Sequence, residues 1–255
     1  MKTVYLTGGT GFLGSHFIRN HLLGGPFDVQ CFVRGATPEA CALRLHETLG
    51  AVDASYPDRR LRGLDALTAV PSDITLPAFG LGEAFFTARA GRADATFFHF
   101  ASSLQYQEKD RQVIHAHNIG GMRHAVDVAA ALGCGVFYYV STAFTVGVHE
   151  GRVPEALHRN ARFNNYYEET KCEAEHLITA IVARAEMQFD LSGEDVRCDF
   201  MDITACHANG CRLHLKAFLE LRPQDFAHDF AGIQRHINRR TGKLEDCFTP
   251  RCAVQ

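Results

Sequence analysis

Two groups of residues in this 255-residue chain have the types and spacing that chemistry needs. The first is the run Thr7, Gly8, Gly9, Thr10, Gly11, Phe12, Leu13 and Gly14. Glycines at 8, 11 and 14, with Gly9 also fitting G-x-G-x-x-G, allow a tight turn and let a pyrophosphate reach backbone N–H groups at the start of a helix. Such a run is elsewhere an ordinary turn; its place between the first expected strand and the first expected helix is what points to a dinucleotide. The second group is Tyr167 and Lys171, four residues apart and so on one helix face, with Thr142 lying 25 positions before the tyrosine. An ammonium beside a phenol favours the phenolate and draws its pKa down from about 10, making Tyr167 a proton donor or acceptor. Thr142 would hold a substrate oxygen by a hydrogen bond. By itself Y-x-x-x-K is also the pattern of a surface tyrosine beside a solvated lysine, and the combination is what carries the reading.

The choice of dinucleotide turns on the end of the second strand, where NAD sites usually offer a carboxylate. Here Arg34 stands in that place, and a guanidinium pairs with a 2′-phosphate. NADP(H) is therefore favoured over NAD(H), the alternative being a solvated loop arginine.

The elements that must position these groups alternate along residues 1–180. Strands are expected over 3–6, 29–33, 67–70, 95–100 and 136–140, and helices over 12–23, 39–49, 82–90 and 118–132. Apolar strands separated by helices predict an α/β doubly wound parallel sheet, a Rossmann fold, with helices on both faces. The expected division is a dinucleotide-binding domain over 1–185 and a short, atypical C-terminal segment over 186–255, carrying a sixth strand near 196–203 and an amphipathic helix through Phe226, Phe230, Ile233 and Ile237.

Composition narrows the function classes. The chain has 26 basic and 29 acidic residues for a net charge of -3, which gives no electrostatic footprint for nucleic acid. It contains no apolar run of the roughly 18 residues a membrane helix needs. The N-terminal apolar stretch breaks at Thr7–Gly11, too early for a signal peptide. Nine cysteines, an odd number, suit a reduced cytoplasmic protein. Cys206, His207, Cys211, His214, Cys247 and Cys252 cluster in the tail, but their spacing is not that of a zinc knuckle, and no metal is expected.

These motifs resemble the extended short-chain dehydrogenase/reductases, marked by T-G-x-x-G-x-x-G, a strand-end Ser/Thr and Y-x-x-x-K, over about residues 1–180. The resemblance extends to Asp73 and Ile74 at the adenine, to Ala101 and Ser102 in the segment that passes the cofactor, and to Asn118 in a helix-opening N-x-x-G. It implies Thr142, Tyr167 and Lys171 as the catalytic set, with Lys171 also holding the nicotinamide ribose. Val33-Arg34, the insert from Ala36 to Pro71, Ser141-Thr142-Ala143 and Asn164-Asn165-Tyr166-Tyr167-Glu168 look most like the thioester-reductase and fatty acyl-CoA reductase branch. That branch implies NADPH-dependent reduction of a small-molecule or carrier-bound acyl thioester or carbonyl, with a homodimer as the common oligomer among members. Nucleotide-sugar epimerases and dehydratases share every catalytic mark, and a non-catalytic dinucleotide-binding protein is a third alternative. Beyond Lys171 the chain departs from the family: 84 residues remain, and the R-P-x-x-x-G-like loop that closes over the nicotinamide is not found.

Overall fold

The computed structural model describes residues 1–56, 61–89, 95–149, 153, 157–159 and 162–189, together with four short strands between 201 and 218. The first five strands are β1 (Lys2–Thr7), β2 (Phe27–Val33), β3 (Leu67–Pro71), β4 (Thr96–His99) and β5 (Val136–Val140). All four pairings among them are parallel, in the order 3-2-1-4-5. Strand order therefore reverses beside β1, between β1 and β4, which is the crevice position where ligands bind in open α/β sheets.

The sequence explains why the sheet is buried on both faces. Side chains alternate along a strand, so Phe97 and Phe98 of β4 point to opposite sides. On one side Phe97 stacks with Phe32 at 5.8 Å and with Phe137 at 5.4 Å, and Phe79 closes over Phe32 at 5.2 Å. On the other, Phe98 stacks on Tyr138 at 4.7 Å while Phe17 packs against Phe98 at 4.8 Å and Phe100 at 5.1 Å. Each such aromatic pair adds roughly 0.5–1.5 kcal/mol beyond its buried area. These residues set the depth of the core beneath the strand ends.

Six helices follow or precede the strands: α1 (Phe12–Phe17), α2 (Pro38–Asp53), α3 (Glu83–Thr87), α4 (Arg111–His115), α5 (Gly121–Ala131) and α6 (Tyr166–Phe189). Thr37 caps α2 by accepting from the Ala40 N–H at 3.2 Å, with Pro38 pre-set for the first helical turn. The first expected helix is present, but α1 passes into a π turn, Ile18–Leu22. The helix expected to open at residue 118 begins earlier. A 3₁₀ turn, Glu108–Asp110, leads into α4, and the π turn Ala116–Gly120 joins α4 to α5. Asn118 therefore sits inside a helical run and does not open it.

The chain divides into two compact units, residues 1–103 with 115–139, and residues 104–114 with 140–255. In the second, β6 (Met201–Asp202) pairs antiparallel with β9 (Lys216–Phe218), and β7 (Ala205–Cys206) with β8 (Arg212–Leu213). The expected strand at 196–203 is described only at 201–202, and the helix expected through Phe226 and Ile237 lies outside the described residues. The side chains of the tail cysteines and histidines lie outside them too.

Candidate functional site

In the first unit, the glycine turn is fastened from beneath. Thr7 is fully buried; its hydroxyl meets His99 Nδ1 at 2.8 Å and accepts from the Ala101 N–H at 3.3 Å. The end of β1 is thereby tied to the end of β4. Gly8 takes φ +75°, and a Cβ there would lie 2.6 Å from the Ala101 nitrogen. A Cβ at Gly14 would stand 2.3 Å from the Gly8 carbonyl oxygen, and one at Gly9 would strike Cys31 Sγ. The backbone is thus drawn against its neighbours as only glycine permits. Gly11, the N-cap of α1, offers no capping side chain, and Gly11 and Phe12 are exposed. An exposed, side-chain-free helix start over a rigid turn fits a pyrophosphate.

Arg34, Asp73, Ile74, Ala101, Ser102 and Asn118, expected at the cofactor, belong to the same unit, and Lys171 to the other. Arg34 is exposed just past β2, and its carbonyl oxygen accepts from Nη1 of Arg44 on α2 at 3.0 Å. Asp73 accepts from the Thr75 N–H at 2.8 Å and its hydroxyl at 2.7 Å. Burial alone would raise the Asp73 carboxyl, but the two Thr75 bonds, with Arg34 and His117 beyond them, hold it below the usual carboxylate range. Ile74 packs on Gly121, where a Cβ would come within 2.9 Å of its Cδ1. Asn118, buried in the π turn, accepts from the Ser103 N–H at 2.7 Å and the Ser102 hydroxyl at 3.0 Å, and donates to the Ser103 carbonyl at 3.3 Å. Its side chain locks the segment that leaves β4.

In the second unit the sequence Asn164-Asn165-Tyr166-Tyr167-Glu168 starts α6 with a reciprocal cap. The Glu168 N–H donates to Asn165 Oδ1 at 3.0 Å, and the Glu168 carboxylate accepts from the Asn164 N–H at 2.9 Å. This fixes the start of the helix and hence the direction in which Tyr167 and Lys171 project. Tyr167 hydrogen-bonds Thr142, the 5% exposed residue two places past β5. Lys171, 2% exposed, donates from Nζ to the Val140 carbonyl at 2.6 Å. The Ser141 hydroxyl donates to Glu175, one further turn along α6.

Electrostatics in this unit differ from the expectation that Lys171 acidifies the phenol. Burial raises Tyr167 above its ordinary value; the Thr142 hydroxyl works against this, and the Glu168 carboxylate adds to it. Lys171 itself is brought down to about 7 by burial, with Glu175 pulling the other way. Burial leaves the Lys171 ammonium only partly charged near neutral pH, and the phenol is not drawn down by it. The phenol is held protonated.

Arg44, Ser141 and Glu175 were not expected as contributors. Arg44 lies ten residues beyond Arg34 on a helix that no glycine or Y-x-x-x-K pattern marks; Glu175, four beyond Lys171, continues the Y-x-x-x-K face, and that spacing is the available signal. His99, at the end of β4, supports Thr7.

A five-stranded parallel sheet in 3-2-1-4-5 order, with a glycine turn after its central strand, defines a Rossmann-type dinucleotide-binding protein. Residues 6–189 match the NAD-binding family described as Male sterility protein, and the chain belongs to that family, within the extended short-chain dehydrogenase/reductases. Residues 173–254 match a family described as of unknown function, DUF6874. Among curated proteins, the isonitrile lipopeptide synthase of Streptomyces coeruleorubidus is 30% identical over 186 residues, 71% of this chain and 12% of that protein. Among solved structures, the terminal R domain from the myxalamid PKS-NRPS biosynthetic pathway superposes with a TM-score of 0.60 at 24% identity, over 70% of this chain and 45% of that one. A thiolation-reductase di-domain from an archaeal non-ribosomal peptide synthetase gives 0.55 at 20% identity, over 72% of this chain and 49% of that one. The chain thus spans about an eighth of the curated relative and less than half of either solved chain. No helix among the described residues is long and apolar enough to cross a membrane.

Proposed function

We propose that the protein is an NADPH-dependent reductase of acyl thioesters presented on a small molecule or a carrier. The observation that carries this reading is the group Thr142, half-buried Tyr167 and buried Lys171, the last two one turn apart on one helix set against one strand end, in a chain of the NAD-binding family. The thiolation-reductase neighbour supports a carrier-bound substrate.

The glycine turn, Ala101 and the exposed start of α1 would bind the pyrophosphate, Asp73 and Ile74 the adenine, and Arg34 with Arg44 the 2′-phosphate. The exposed Arg34 just past β2, with the Arg44 guanidinium anchored on the Arg34 carbonyl, supports NADPH over NADH. A bound reduced nicotinamide supplies the hydride. The Thr142 hydroxyl orients the carbonyl oxygen by a hydrogen bond, and the Tyr167 phenol gives that oxygen its proton. A hydride adding to the thioester carbon forms the new C–H bond; loss of the thiol then breaks C–S and leaves an aldehyde. Lys171, as a cation, holds negative charge near the phenol when the proton leaves.

The test is NADPH oxidation with acyl-CoA and carrier-loaded thioesters, followed by aldehyde trapping. Tyr167→Phe should lower turnover by about 10²–10⁴. Full turnover in that variant, or tightly bound cofactor with activity on nucleotide sugars instead, overturns the reading.

A further inference from the structure

The face of α6 that carries Tyr167 and Lys171 carries one more buried polar residue, Glu175, and the three are spaced by four. Each latches onto one of three consecutive residues at the end of β5: Tyr167 on the Thr142 hydroxyl, Lys171 on the Val140 carbonyl, and Glu175 on the Ser141 hydroxyl. Glu175 is 2% exposed, as buried as Lys171 and Ser141. A carboxylate so deep is costly unless charge and hydrogen bonds answer it. Lys171, one turn before it, is the cation that answers it, and Ser141 supplies the hydrogen bond.

We propose that Glu175 is a positioning residue of the catalytic group: its carboxylate keeps Lys171 cationic inside the protein and, through Ser141, fixes the backbone from which Thr142 projects. The proposal rests on the functional reading above for the role of Lys171, but its physical content is independent of any substrate.

At the strand end Lys171 meets the Val140 carbonyl, a dipole and not a charge. Glu175, four residues on along the same helix face and equally buried, is a carboxylate placed to act on the ammonium, raising its pKa against burial. Removing that charge while keeping the shape of the side chain leaves the burial of Lys171 in place and takes away the attraction that opposes it. Its proton is then lost at lower pH.

The test is Glu175→Gln, which retains an oxygen acceptor for Ser141 but no charge. The chain has five lysines, at 2, 109, 171, 216 and 243, so ¹³Cε labelling with Lys171→Arg for assignment isolates the Lys171 signal. In ligand-free protein its midpoint should fall by about one pH unit or more in Glu175→Gln. In turnover, the same shift predicts a loss of about two-fold in kcat/KM at pH 6 growing to about ten-fold at pH 8, whereas a purely structural defect lowers activity evenly. An unmoved Lys171 midpoint, or a pH-independent loss, overturns the proposal. If no thioester is reduced even by the wild type, the functional reading fails and the titration still decides the role of Glu175. If Glu175→Gln does not fold, the double variant with Lys171→Met, which removes both charges, should recover cooperative unfolding; no recovery overturns the proposal.

Discussion

Tyr167 is governed by what surrounds it, and each neighbour is a separate handle. The Glu168 carboxylate raises its phenol, so Glu168→Gln should lower the tyrosine pKa, an effect measurable by ultraviolet titration of the phenolate band against the other six tyrosines. A rise, or no change, would show that the carboxylate does not reach the phenol. At the glycine turn, the carbonyl oxygen of Gly8 would lie 2.3 Å from a Cβ at residue 14. Gly14→Ala must therefore push the turn open, and overpacking of this kind costs about 1–3 kcal/mol. Calorimetry should show NADPH binding lost or weakened at least ten-fold while the variant still unfolds cooperatively; unchanged affinity would place the phosphates elsewhere.

Among the elements, α6 depends on its first turn. The reciprocal cap of Asn165 and Glu168 satisfies backbone N–H groups that would otherwise lack partners, and Asn165→Ala should cost about 0.5–2 kcal/mol of stability by denaturant titration. Because that cap sets where Tyr167 points, turnover should fall with it. The segment that forms the cap stood out in the sequence only by its likeness to the family, not as a cap, whereas β1, the glycine turn and all five parallel strands were legible, since apolar runs bounded by glycines carry their own period. What was not legible came from packing. Residues 111–117 hold too few apolar positions to announce a helix, and nothing local marks a π turn, which arises where one extra residue is accommodated. For the same reason Asn118 was read as opening a helix when it lies inside one. The direction of the Tyr167 shift was also hidden, because spacing reports the proximity of a lysine but not how far both groups are removed from water.

For the whole molecule, buried ionisable groups set a stability profile against pH. Lys171 falls from an ordinary 10.5 to about 7 on folding, so the unfolded chain binds more protons between those values and stability rises with pH from about 7. Burial pushes Cys31 and Cys134 up to about 12 from an ordinary 9, so above 9 the unfolded chain loses protons that the folded one keeps. There the two thiols outweigh the one lysine, and stability turns downward. Ligand-free protein under reducing conditions should thus melt highest near pH 9, and a melting temperature falling steadily from pH 7 to 9 would contradict the burial of Lys171. The division of the chain has a consequence for how such a protein can be cut or recombined. Polypeptide enters the second unit at residue 104, returns at 115, and leaves the first for good at 139. The halves are interleaved like two threads and not strung like beads. A junction at 139/140 would strand residues 104–114 with the wrong partner, so neither half is a transferable cassette, and swapping tails between relatives should succeed only where that short excursion is carried along.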